Sequence, residues 1–99
     1  MATTVRRSKN RLAPLPAPDH TIGHASLVEY LGSAAVMELI VVEFDFGAYR
    51  LEACLTWRSG RSVLVAARGD RVFKSLDTVA IYLRTIGSGH TLVRLELRT

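Results

Sequence analysis

Five cationic side chains sit in or beside the turns of one stretch, Arg58, Arg61, Arg68, Arg71 and Lys74, with Asp70 the only acid among them. Nearer the N-terminus lies a basic tetrad, Arg6, Arg7, Lys9 and Arg11. The chemistry these nine residues could do is capture of anions. Guanidinium and ammonium groups neutralise phosphates and gain affinity by releasing counterions, so they are the candidate nucleic-acid-binding residues. Backbone amides at the start of a helix opening at Ser75 would add to the positive field beside Lys74. Nothing comparable points to a reaction. His20, His24 and His90 fall on a linker or a turn, with no carboxylate at a catalytic spacing. Cys54 has no base or cation at a predictable distance to activate it. No Cys/His spacing resembles a zinc site, and no glycine-rich phosphate loop is present. We therefore expect a non-enzymatic protein with no catalytic residue, no metal and no cofactor. Arg68-Gly-Asp70 matches the integrin tripeptide but reads as a turn that uses glycine for positive φ.

Charge is unevenly distributed along the 99 residues, whose formal net charge is +4. Residues 1–20 carry +3, 21–56 carry −4, 57–74 carry +4 and 75–99 carry +1. Attraction to polyanions must then come from the N-terminal segment and the turn cluster, not from the chain as a whole. The apolar fraction of 48% excludes a wholly disordered chain, and uninterrupted apolar runs such as Leu39 to Val42 are far too short to span a bilayer. A single cysteine cannot form an internal disulfide, which fits a cytoplasmic compartment.

Two segments must position these groups. Residues 1–20 lack apolar periodicity and alternate proline with alanine and leucine from Ala13 to Pro18, so they read as a flexible, basic, Pro-rich arm. Residues 21–99 read as one α+β domain. Ser26 and Glu29 have capping-box spacing, and Leu27, Tyr30, Leu31 and Ala34 form a helical stripe, which predicts a helix over 25–35; the alternative starts the first strand at Ala34 to Met37. Residues 39–46 predict a strand with Ile40, Val42, Phe44 and Phe46 on one face and Val41, Glu43 and Asp45 on the other. Gly47-Ala48 then supplies a type II′ turn. A second strand follows from Tyr49 to Trp57, with Tyr49, Leu51, Ala53, Leu55 and Trp57 facing in. The turn Arg58-Ser-Gly-Arg61 leads to a third strand over 62–67. A helix capped by Ser75 and Gly87 carries the stripe Leu76, Val79, Ala80, Leu83 and Ile86, with Ile81 and Tyr82 widening it toward a second surface. Residues 91–97 give a last strand.

The expected fold is a two-layer α+β sandwich: a mainly antiparallel sheet of about four strands, a meander then helix then strand, with helices on one face and an outer face bearing Glu43, Asp45, Arg50, Glu52, Cys54 and Thr56. So small a core makes a homodimer a reasonable expectation. Three strands followed by a packed helix, from Trp57 to Leu83, resemble the sheet-reading DNA-binding domains of integrase arm-binding and AP2-like modules. The carboxylates of the outer face depart from the Arg, Lys and Trp those domains present. At Ser62 to Ala80, with Phe73 before Ser75-Leu76-Asp77 and a helix ending at Gly87, the chain is similar to small plasmid and mobile-element accessory proteins described as ParC-like and partition-associated. That resemblance implies a bacterial accessory protein that acts by binding. The reading is therefore a regulatory binding module contacting nucleic acid electrostatically through arm and turns. The alternative is a protein–protein adaptor or inhibitor, for example against a host defence system, acting through sheet face, strand edge or helix, with no membrane partner.

Overall fold

The computed structural model describes residues 18–98, so the candidate contacts Arg6, Arg7, Lys9 and Arg11 lie outside the described residues. The chain runs β1 (His20–Ile22), α1 (His24–Gly32), β2 (Val36–Asp45), β3 (Ala48–Leu55), β4 (Ser62–Ala66), β5 (Gly69–Asp70), α2 (Leu76–Ile86) and β6 (Leu92–Glu96). Among the described residues these strands form one mixed six-stranded sheet in the order β1-β4-β3-β2-β6, with β5 paired to β4. The expected meander is β2-β3-β4, antiparallel throughout. Two strands were not expected. β1 pairs in parallel with β4, so His20 belongs to the sheet. β5 hydrogen-bonds to the end of β4. The last strand, β6, pairs in parallel with β2 and not with β4.

Both helices contribute to a single core. Leu27 of α1 and Val79, Tyr82 and Ile86 of α2 cluster with Leu39, Val41, Leu51, Ala53, Leu55 and Leu64 on one face of the sheet. This assignment corrects the expected facing of β2. Register pairs Val41 with Leu51 and Val42 with Arg50, so the core-facing set is Leu39 and Val41, while Ile40 and Val42 share the opposite face with Glu52 and Arg50. Alternation cannot decide this, because β2 is buried on both faces: Leu39, Ile40, Val41 and Val42 are all at most 3% exposed.

Turn chemistry accounts for several other differences. The β2–β3 hairpin turns at Phe46-Gly47, one residue earlier than expected, with Gly47 at φ 73° and Asp45 opposite Ala48. The carboxylates of Asp45 and Glu43 accept the Phe46 and Gly47 amides, at 2.9 and 3.1 Å. At α1 the cap is Gly23, with no side-chain hydrogen bond, so Ser26 lies inside the helix and the capping box does not form. Helix α1 stops at Gly32, and Ala34, at φ 58°, redirects the chain into β2. Helix α2 is as expected: Ser75 accepts from the Thr78 amide and Gly87 closes the helix in the left-handed conformation. Its buried stripe is Val79, Tyr82 and Ile86, whereas Leu76 stays exposed. Trp57, expected to face in, is 53% exposed beyond the end of β3.

Candidate functional site

The turn cations do not form one cluster. Strand β4 separates them: Arg58 and Arg61 precede it, and Arg68, Arg71 and Lys74 follow it. At about 3.3 Å per residue, its five residues hold Arg61 and Arg68 on the order of 13 Å apart, while β5 folds back along β4 so that the Arg71 amide donates to the Leu64 carbonyl at 2.9 Å, beside the middle of the strand.

At the first end, Arg58 lies over the Trp57 ring with its guanidinium carbon 4.4 Å from the centroid, and Tyr30 meets Trp57 edge-on at 5.6 Å. The Arg58 guanidinium also reaches the Ser62 hydroxyl at 3.4 Å. Arg61 turns onto the sheet face that the helices leave open. It donates to Glu52 at 3.1 Å and binds Glu96 through both terminal nitrogens at 3.0 and 2.9 Å. Glu52 also accepts from Arg50 Nε at 2.7 Å, and Arg94 reaches Glu38 at 3.1 Å and Glu96 at 3.7 Å. The result is a ladder of three carboxylates and three guanidinium groups, formally neutral. The register places it over apolar residues: Ile40 lies between Glu52 and Arg94, and Val42 between Arg50 and Glu96. The aliphatic stems of the arginines cover that apolar layer while their heads pair. Glu52 itself is only 2% exposed. The Arg61 guanidinium beside Glu96 holds that carboxyl below the usual carboxylate range.

Cys54 lies on the same face, with its thiol 4.0 Å from Glu38. Burial, and then the charge of Glu38, push the thiol up, away from thiolate character. Glu43 and Asp45, expected on this outer face, sit instead at the hairpin end, where Glu43 also accepts the Arg98 amide at 3.0 Å. Thr56 is exposed just beyond β3.

Beyond β4 in sequence, Arg68 and Lys74 are exposed, and Arg71, beside Leu64, lies over Phe73 and Tyr82 at 4.8 and 5.3 Å from the ring centroids. The Tyr82 hydroxyl is 2.7 Å from His24 Nδ1. Burial pushes the Tyr82 phenol up. Phe73, a lone extended residue, exchanges two 2.8 Å backbone hydrogen bonds with Tyr49 and so ties the segment after β5 to β3. Sequence reasoning did not foresee this His24–Tyr82–Phe73–Arg71 assembly. Tyr82 lies 58 positions from His24, and only the packing of α2 beside α1 brings the pair together.

The sheet has two margins of different character. β1 is three residues long, and Gly60, at φ 80°, lies so close to the Asp19 side chain that a Cβ there would collide with it. β6 is five residues long, with Leu92, Val93 and Leu95, and Leu97 just beyond, 40 to 63% exposed. Among the described residues, no group of three or more His, Cys, Asp or Glu could hold a metal ion, and no helix is long and apolar enough to cross a membrane. No protein-family model, no curated protein and no solved structure matches this chain.

Proposed function

We propose that this chain is a non-enzymatic accessory binding protein with its tasks divided: the N-terminal segment contacts nucleic-acid phosphates, and the folded domain associates with protein. One observation carries the reading. Four of the thirteen cations and none of the nine anions precede residue 18, so the remaining chain holds nine of each and is formally neutral. The folded part also keeps several of its arginines occupied. Arg61 is held by Glu52 and Glu96, Arg71 lies on aromatic rings and Arg58 lies on Trp57. A phosphate backbone would have to compete with those contacts, whereas Arg6, Arg7, Lys9 and Arg11 lie in a segment with no acidic residue of its own. The setting implied by the resemblance at Ser62 to Ala80, a bacterial plasmid or other mobile element, agrees with a small accessory protein of this kind.

The test is fluorescence anisotropy of labelled duplex DNA across a salt series. It compares the full chain with a variant in which Arg6, Arg7, Lys9 and Arg11 become Gln, and with a variant carrying Arg58→Gln, Arg68→Gln and Lys74→Gln. Four phosphate contacts predict a log–log salt slope of about −3.6, lost in the first variant and largely kept in the second. Unchanged binding by the first variant would defeat the division of tasks. The reading of the domain as a protein adaptor or inhibitor is favoured by the β6 margin, where apolar side chains line an open strand edge.

A further inference from the structure

We infer that two copies of this chain associate through β6, pairing antiparallel about a two-fold axis at Leu95. The partner that fits this margin is a second copy because, with the axis within Val93 to Glu96, one register sets opposite charges and apolar side chains against each other, with Leu92 opposite Arg98 at its rim. An antiparallel pair related by a two-fold axis normal to the sheet sets each residue opposite one on the same face, so the axis must pass at a residue and not between two. Centred on Leu95, Arg94 lies opposite Glu96 of the second copy and Glu96 opposite Arg94, both on the open face. Val93 lies opposite Leu97, Leu95 opposite itself and Leu97 opposite Val93, all on the helix-bearing face. Centring on Arg94 sets Arg94 against Arg94 and Leu92 against Glu96. Centring on Glu96 sets Glu96 against Glu96 and Arg94 against Arg98. Centring on Val93 leaves Leu95 opposite Thr91. Like charges directly opposite destabilise a pair, and opposite charges or apolar matches stabilise it.

Three further observations agree. β6 ends the sheet among the described residues, so its outer backbone groups have no strand partner there. Its apolar side chains on the helix-bearing face are half exposed, Val93 at 40%, Leu95 at 45% and Leu97 at 52%. Arg94 and Glu96 keep 49% and 39% side-chain exposure despite their pairs, which leaves each able to take a second partner. Pairing would then carry the ion ladder Glu38–Arg94–Glu96–Arg61 across both copies. The other margin offers no such template, since β1 has only three residues.

The experiment begins with the solution mass of the full chain, by light scattering over a micromolar concentration series, for the native sequence and for Leu95→Lys. The expected result is twice the chain mass for the native protein and a single-chain mass, with unchanged far-UV circular dichroism, for Leu95→Lys. A single-chain mass for the native protein throughout would overturn the inference, and this outcome is independent of DNA binding by the arm. Register is read separately by disulfide capture in a Cys54→Ser background. Opposed residues place their Cα atoms about 4.5 to 5.5 Å apart, within disulfide range, so Leu95→Cys should give a covalent dimer on mild oxidation and Arg94→Cys should not. Capture at Arg94→Cys in place of Leu95→Cys would overturn the assigned register, and capture at neither would overturn the pairing.

Discussion

Replacing Glu52 with Ala tests whether the ion ladder stabilises the open sheet face. The carboxylate is 2% exposed and accepts from Arg50 Nε at 2.7 Å and Arg61 Nη1 at 3.1 Å. Removing one member of a fully buried pair costs about 3 to 5 kcal/mol, and exposed pairs contribute about 0.2 to 1 kcal/mol. The two guanidinium side chains are 14% and 32% exposed, so water screens part of the loss, and Arg61 keeps Glu96. An intermediate cost of about 2 to 3 kcal/mol follows from those two limits. For a domain of this size, each kcal/mol shifts Tm by about 4 to 8 °C, so Glu52→Ala should lower Tm by roughly 10 to 20 °C. Glu52→Gln, which keeps an acceptor oxygen, should lose about half as much. The assay is urea unfolding followed by circular dichroism, with Arg61→Gln and the double variant closing a cycle. A coupling energy of about 1 kcal/mol or more is expected between contacting groups. A loss below about 0.5 kcal/mol for Glu52→Ala, the level of an ordinary surface change, would refute the claim that this carboxylate anchors the ladder.

The Glu96 carboxyl is held below its ordinary range in the folded state, first by its hydrogen bond to Arg61, so its stabilising contribution is complete above the unfolded value of about 4.3 and is lost as pH falls through the lower folded value. The gap in urea midpoint between native protein and Glu96→Gln should therefore be widest near pH 7 and close below about pH 4; an unchanged gap at pH 3 would count against the pairing. Ser75→Ala removes the cap on the Thr78 amide and should cost about 1 kcal/mol in the same assay, whereas Ser26→Ala, which removes no cap, should cost far less. Gly60→Ala introduces a Cβ at φ 80° against Asp19 and should destabilise the β1 margin, seen as faster hydrogen exchange of the His20 amide bonded to Arg61 at 3.0 Å.

Elements marked by punctuation were legible in the sequence, and those fixed by distant contacts were not. Helix α2 could be read from Ser75, Asp77 and Gly87, because caps and dipole act within one turn. The three-strand meander could be read from alternation along β3 and from glycine-bearing turns. The facing of β2 could not, because four consecutive apolar residues satisfy either assignment and only the pairing of Val41 with Leu51 decides between them. β1 was hidden for a related reason: His20-Thr-Ile22 has no pattern of its own and becomes a strand by adding in parallel to Ser62–Leu64. The turn arginines were identifiable as cations, but their employment was not. Arg61 lies 35 positions from Glu96, and only the parallel placement of β6 beside β2 brings that carboxylate within reach.

The short β1 strand also fixes where the described chain first joins the sheet. By docking on β4 it stands at the margin farthest from β6, four strand spacings away, or about 19 Å across the sheet. In the proposed two-fold pair the two β1 strands would stand at the outer margins of a continuous sheet, about 40 Å apart. The basic residues that precede β1 in each copy would then join the sheet at points about 40 Å apart, a spacing suited to bridging separated phosphate tracts. Once the basic residues of one copy were engaged, those of the other would meet phosphate at an effective concentration set by that span.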